Sequence, residues 1–293
     1  MKTIRIQLIT ILFFIPFISL TAQDKTAREN SIKISTHKLH YYIFGSGSPA
    51  IVLDVGLADT YKNWITLLEA QSDKNQIFCY DRAGYGQSEM GDLPRNCINE
   101  ADELKTLLDK AYIPGPYIIV GHSLGALNLQ VFASRYSNEV AGMLLLDPPP
   151  LDWIRGNGFP ELAKLAEQTT DEFEKTAESM QNSTNAEEQK RVQFFKTIAS
   201  EHREMFSSSA EQAASIKSFG NIPLIVIASG KSNPVFGEDA VRFQKFWNDQ
   251  CRKLSLKSSG GKYILAAESS HKIHLDDPEV ILKALNELIS EVR

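Results

Sequence analysis

Short apolar runs recur along the chain at 50–55 (AIVLDV), 77–80 (IFCY), 117–122 (YIIVGH), 142–147 (GMLLLD), 222–229 (IPLIVIAS) and 262–267 (KYILAA). Runs this short and this continuous suit parallel strands covered on both faces. Two earlier stretches, 31–35 (SIKIS) and 38–44 (KLHYYIF), read as extended segments that end in the Gly-Ser-Gly-Ser-Pro turn at 45–49. Between the runs the period changes to that of a helix. In 98–111 the apolar positions are Ala101, Leu104, Leu107 and Leu108, and 124–136, 238–254 and 278–292 are patterned similarly, the last with Pro278 in its first turn. Strand–helix alternation of this kind predicts an α/β fold with a mostly parallel central sheet.

The alternation breaks between about 152 and 219, where no buried strand is legible. Polar, helix-favouring sequence fills the gap at 159–180 and 185–206, and 181–188 (QNSTNAEE) suits a turn. A structureless loop of that length is foreign to a compact domain. The segment therefore reads as a helical insertion. The expected organisation is a core of 23–150 and 221–293 with an inserted unit at 151–220.

Composition narrows the class. The 293 residues are 43% hydrophobic and carry a net charge of −5. No block of Lys or Arg forms a basic stripe, which argues against nucleic-acid binding. The first residues depart from the rest: Lys2 and Arg5, then apolar sequence to Leu20, then Thr21-Ala22-Gln23. That is the pattern of a cleaved secretory signal at 1–22, so the chain is expected to be exported, periplasmic or secreted. An uncleaved N-terminal membrane anchor is the competing reading, disfavoured by the shortness of the apolar run. Cys79, Cys97 and Cys251 are an odd number, and Cys97 with Cys251 is a candidate bridge that sequence alone does not establish. None of the three has metal-ligand spacing, and no metal or cofactor is called for.

The most informative stretch is IIVGHSLGAL at 118–127. A buried strand ends in Gly121-x-Ser123-x-Gly125 and turns at once into a helix, the context of a nucleophile elbow. The bland alternative makes Ser123 a helix N-cap and the glycines mere turn residues. Acyl transfer would also need backbone N–H donors for an oxyanion. Leu57, after Gly56 in the loop that follows 50–55, and Leu124, directly after the serine, are the candidates. For the base, His271 and His274 both lie in SSHKIHLDDPE, between the last strand and the last helix. His122, inside the elbow, reads as a packed residue.

VLDVGLADTYKNW, CYDRAGYGQS, the elbow, EVAGMLLLDP and SSHKIHLDDPEVI together resemble successive blocks of the α/β-hydrolase fold family, in that family's order, from about residue 38 to the end apart from the insertion. The resemblance implies a serine hydrolase with Ser123 as nucleophile, His271 as base, a helical cap at 151–220 and a small-molecule acyl substrate, carboxylic esters first. It implies structural roles for Asp81 and Arg82 and a supporting role for His274. Serine at the elbow argues against the branches with an aspartate there, the haloalkane dehalogenases and epoxide hydrolases. In many members the triad acid is the third residue past a glycine that here is Gly230, but that position is Asn233. Three substitutes remain open: Asp147 after the neighbouring strand, Asn233 as a neutral partner, and Glu238 or Asp239. Asp147 is preferred, since Pro148, Pro149 and Pro150 would hold its backbone. A ligand-binding protein on this scaffold, an aminopeptidase or amidase, and a cofactor-free oxidative member of the fold are the alternative functions.

Overall fold

A computed structural model describes residues 27–293 of the chain, so the expected signal at 1–22 lies outside the described residues. In chain order the elements are β1 (Arg28–Lys33), β2 (Lys38–Phe44), β3 (Ile51–Asp54), α1 (Ile65–Glu69), β4 (Ile77–Tyr80), α2 (Cys97–Lys110), β5 (Tyr117–His122), α3 (Leu124–Arg135) and β6 (Val140–Leu146). There follow α4 (Leu151–Ile154), α5 (Pro160–Met180), α6 (Ala186–Met205), α7 (Ser208–Ser215), β7 (Leu224–Ser229), α8 (Ala240–Ser255), β8 (Lys262–Ala266), α9 (Ile273–Asp276) and α10 (Pro278–Val292). One sheet of eight strands has the order β1-β2-β4-β3-β5-β6-β7-β8. The pairs from β4 through β8 are parallel, and β1 and β2 are joined antiparallel to the β4 edge. The chain therefore has the mostly parallel α/β architecture that its apolar runs predict.

The central strands β3, β4, β5 and β7 are buried at every position. Helices cover both faces. On one face Leu104, Leu107 and Leu108 of α2, Leu127 of α3 and Phe243 of α8 join a core with Val52, Ile119 and Val226. On the other, Leu68 of α1 and Ile281, Leu285 and Leu288 of α10 pack with Leu53, Val120 and Ile227. The α10 positions are spaced four and three apart, one face of the helix. Each fully buried Leu or Ile of these clusters contributes about 1.5–3 kcal/mol of transfer free energy.

The pattern was weakest at the sheet edge. β1 is RENSIK, starts at Arg28 rather than near 31, and is exposed at nearly all positions. An edge strand with solvent beside it has no apolar alternation to read. In the long segment before β7, α5 and α6 pack on each other, and their turn falls at 181–185. α4 and α7 also form there; α4 is four residues long and α7 (SSAEQAAS) has only small side chains to bury, so neither gives a strong period. Among the described residues no helix is long and apolar enough to cross a membrane.

The candidate Cys97–Cys251 bridge does not form. Cys79, Cys97 and Cys251 are all free thiols, each in a different packed environment: β4, the start of α2 and the inner face of α8. Burial pushes all three thiols up from the usual range, so the reactive thiolate is suppressed. We expect the native protein to be inert to a disulfide-exchange reagent and to release three thiol equivalents once unfolded in denaturant, by absorbance titration. One equivalent in denaturant alone, rising to three after reduction, would contradict this arrangement.

Candidate active site

Because β3, β5, β6, β7 and β8 run parallel, their C-terminal ends meet at one edge of the sheet. Ser123 follows β5, Leu57 follows β3, Asp147 follows β6 and His271 follows β8. All four line one cavity of about 490 Å³, which is also walled by Trp153 and Met205 from the inserted segment and by Trp247 from α8. That volume suits a small-molecule ligand.

Ser123 sits at φ 51, ψ −119, a conformation L-residues rarely adopt. The bend is imposed by close packing on both sides of it. A Cβ on Gly121 would lie 2.6 Å from the Ala126 Cα, and one on Gly125 would lie 2.2 Å from the Asp54 carbonyl oxygen. Only glycine lets strand, turn and helix come this near. The Ser123 backbone N–H donates to the Leu146 carbonyl at 2.9 Å, which fixes the bend to β6. Its side chain makes no capping hydrogen bond to α3, so the N-cap reading does not describe this serine.

Asp147 follows the last residue of β6, also at positive φ (46°), and its carboxylate is 2% exposed. Oδ1 accepts the Ser229 backbone N–H at 2.9 Å, and Oδ2 accepts the Ser229 hydroxyl at 2.8 Å. Oδ2 also lies 2.6 Å from Nδ1 of His271. An ionised carboxylate only accepts, so Nδ1 carries the proton and Nε2 is left with its lone pair. Ser229 is in turn held by Gln244 of α8, whose Nε2 donates to its carbonyl at 2.8 Å. Neither Ser229 nor Gln244 stood out in the sequence. The only signal was a polar residue closing the apolar run 222–229, on the strand paired with β6.

The other acid candidates are engaged elsewhere. Asn233 lines the cavity, but its side-chain oxygen accepts the Val235 N–H at 3.1 Å and caps a short 3₁₀ turn. Asp239 accepts from Arg242 at 2.6 Å, and Glu238 is exposed in the same turn. His274 stacks on Trp64 with ring centroids 4.0 Å apart. His122 is buried, and its Nε2 lies 2.8 Å from the His271 carbonyl oxygen, to which it donates, so it steadies the loop that carries His271. The Leu57 backbone N–H has no acceptor among the described residues, and Leu124, as the first residue of α3, has no intrahelical one. Leu57 and Leu124 line the same cavity as Ser123.

Residues 49–171 match the family model described as the alpha/beta hydrolase fold. The uncharacterized protein YqjL of Bacillus subtilis is 30% identical over 241 residues, 82% of this chain and 83% of that protein. Among solved structures, a thermophilic esterase from Thermogutta terrifontis is 18% identical with TM-score 0.64, covering 90% of this chain and 99% of that one. The haloalkane dehalogenase DbeA of Bradyrhizobium elkani is 16% identical with TM-score 0.66, covering 91% and 98%. The chain belongs to the α/β-hydrolase fold family.

Burial sets the charge state of the neighbouring histidines. Desolvation holds His122 well below the ordinary imidazole value, lowers His274, and brings His202 of α6 down to about 4. Each binds a proton more weakly folded than unfolded. The unfolded chain therefore takes up more protons below about pH 6.5, and stability falls as pH drops. For His202 that window runs down to about 4 and is worth on the order of 3 kcal/mol. We expect the urea midpoint to fall steeply between about pH 6.5 and about pH 4.5, and His202→Gln to flatten that fall. An equal slope in the variant would remove His202 from the account.

Proposed function

We propose that the protein is a serine hydrolase that cleaves a carboxylic ester, or a related acyl bond, of a small molecule. Ser123 Oγ attacks the carbonyl carbon while His271 Nε2 takes its proton. The oxyanion is held by the backbone N–H groups of Leu57 and Leu124. His271 then protonates the departing alcohol as the carbonyl–oxygen bond breaks. Water, deprotonated by the same nitrogen, hydrolyses the acyl-enzyme and restores the serine. Asp147 keeps the proton on Nδ1 and stabilises the imidazolium that forms in each half-reaction. The observation that carries this reading is the 2.6 Å contact between His271 Nδ1 and Asp147 Oδ2 in a cavity shared with Ser123. The mostly apolar wall contributed by Trp153, Met205 and Trp247 favours an acyl or alcohol group of modest size. The N-terminal pattern at 1–22 supports an exported location for the mature chain.

The test is a fluorophosphonate probe together with a panel of p-nitrophenyl esters. Wild type should label and turn over, and Ser123→Ala should do neither. His271→Ala should label at a small fraction of the wild-type rate. Asp147→Asn, which lets the imidazole settle in the wrong tautomer, should lower kcat by on the order of 10⁴. Asn233→Asp should change little. Slow labelling of the wild type would favour a ligand-binding protein on this scaffold, and full activity in Asp147→Asn would remove that residue from the mechanism.

A further inference from the structure

Behind the loop that carries Leu57 lies a buried cluster of charges that this mechanism does not use. Arg82 follows β4 and is 3% exposed. Its Nη1 donates to Asp54 Oδ1 at 2.6 Å and to the Val55 carbonyl at 2.5 Å. Its Nη2 donates to the Gly56 carbonyl at 3.1 Å. The remaining edge of the guanidinium is taken by Glu201, with Nε to Oε1 at 2.9 Å and Nη2 to Oε2 at 3.2 Å. Glu201 is 1% exposed and belongs to α6, in the inserted segment, 119 residues along the chain from Arg82. The same Oε2 accepts the Tyr85 hydroxyl at 2.5 Å, and that hydroxyl oxygen accepts the Ala58 backbone N–H at 3.1 Å.

These bonds bear on the oxyanion donor through the geometry of one peptide. The Gly56 carbonyl and the Leu57 N–H belong to the same planar trans unit, so they point in opposite directions. Arg82 pins the carbonyl end. The N–H end is therefore turned away from Arg82, and a Cβ on Gly56 would lie 3.3 Å from Ser123 Cβ. Ala58, next along, holds positive φ (57°), and its N–H is fixed by Tyr85. A charged donor on the carbonyl also polarises the peptide, which strengthens its N–H as a donor. Burial pushes the Glu201 carboxyl up, but the charge and hydrogen bonds of Arg82 outweigh it and leave Glu201 below its ordinary value. Burial, and then the neighbouring Glu201, push the Glu100 carboxyl well up.

We propose that Glu201, borne on the inserted helix α6, is a positioning residue for acyl transfer: by holding Arg82 and Tyr85 it fixes the orientation of the Gly56–Leu57 peptide that presents the oxyanion donor. This inference rests on the serine-hydrolase reading. It makes the inserted segment part of the chemistry as well as a wall of the pocket. α6 also docks on the segment after β4: a Cβ on Gly84 would fall 2.0 Å from the Thr197 hydroxyl oxygen, and the Ser200 hydroxyl accepts the Arg95 N–H at 3.0 Å.

The experiment follows labelling of full-length protein by excess fluorophosphonate, whose phosphoryl oxygen occupies the oxyanion position. With probe in excess, the rate constant reports each folded molecule and is independent of how many molecules are folded. In Glu201→Gln the limiting labelling rate should fall by on the order of 10- to 100-fold, less than deletion of a donor outright. The half-saturating probe concentration should stay within about threefold, because ground-state binding is untouched. Glu201→Asp should recover part of the loss. Where Glu201→Gln yields no folded protein, Tyr85→Phe decides: it frees the Ala58 N–H but leaves the Arg82–Glu201 pair, and its limiting rate should fall severalfold. A limiting rate within about twofold of wild type in the decisive variant, whatever its melting temperature, overturns the proposal. Absence of labelling in the wild type would instead overturn the serine-hydrolase reading beneath it.

Discussion

The hydrogen bond between His271 Nδ1 and Asp147 Oδ2, 2.6 Å long, joins residues 124 positions apart. Everything around it is arranged so that this contact can exist. β6 and β8 are both paired to β7, so the loops after β6 and β8 flank the end of the strand between them. Ser229, the last residue of that middle strand, supplies two donors to the Asp147 carboxylate. A carboxylate this buried would be costly without such partners. With them it is a fixed acceptor, and the imidazole beside it has one tautomer to adopt.

A second constraint is the tightness of the bend at Ser123. The turn works because α3 begins almost in contact with the end of β3, where Gly125 meets the Asp54 carbonyl. The same approach brings the loop after β3 beside the serine. That loop is defined from behind, by Arg82, Tyr85 and Glu201, in a cluster where each charge has a close partner. Removing one member of such a buried set leaves the others uncompensated, which is why the set behaves as a unit.

Fold alone does not fix chemistry. An esterase and a haloalkane dehalogenase superpose on this chain about equally well. One architecture thus carries differently named activities, and chemistry is decided by the side chains set on it and what surrounds them. In this chain the helices between β6 and β7, together with α8, add side chains to a lining that comes mostly from the loops at the sheet edge. Trp153, Met205 and Trp247 shape the cavity, and His202 is kept neutral among aromatic neighbours.

The fold was legible in sequence because its signal is local. A strand buried on both faces must be apolar throughout, and a helix against a sheet must repeat every three to four residues, so β3 to β7, α2 and α10 declare themselves. β1, α4 and α7 did not, since an edge strand is exposed, a four-residue helix is too short to show a period, and α7 buries only small side chains. The elbow was equally local: two glycines and a serine at fixed spacing after a strand. What only the tertiary structure decided were the pairings across the chain. Asn233, Asp147, Glu238 and Asp239 are all plausible partners for an imidazole in a linear sequence. Strand order brings the loops after both β6 and β7 near the loop after β8; the Ser229 donors that hold the Asp147 carboxylate against His271, and the turn that Asn233 caps, decide between them. Ser229, Gln244 and Glu201 carried no signal, because a polar residue reveals its purpose only through the distant group it bonds. Hydrophobic burial is written into sequence as composition and period. A directional hydrogen bond between remote residues is fixed only when the sheet has been assembled.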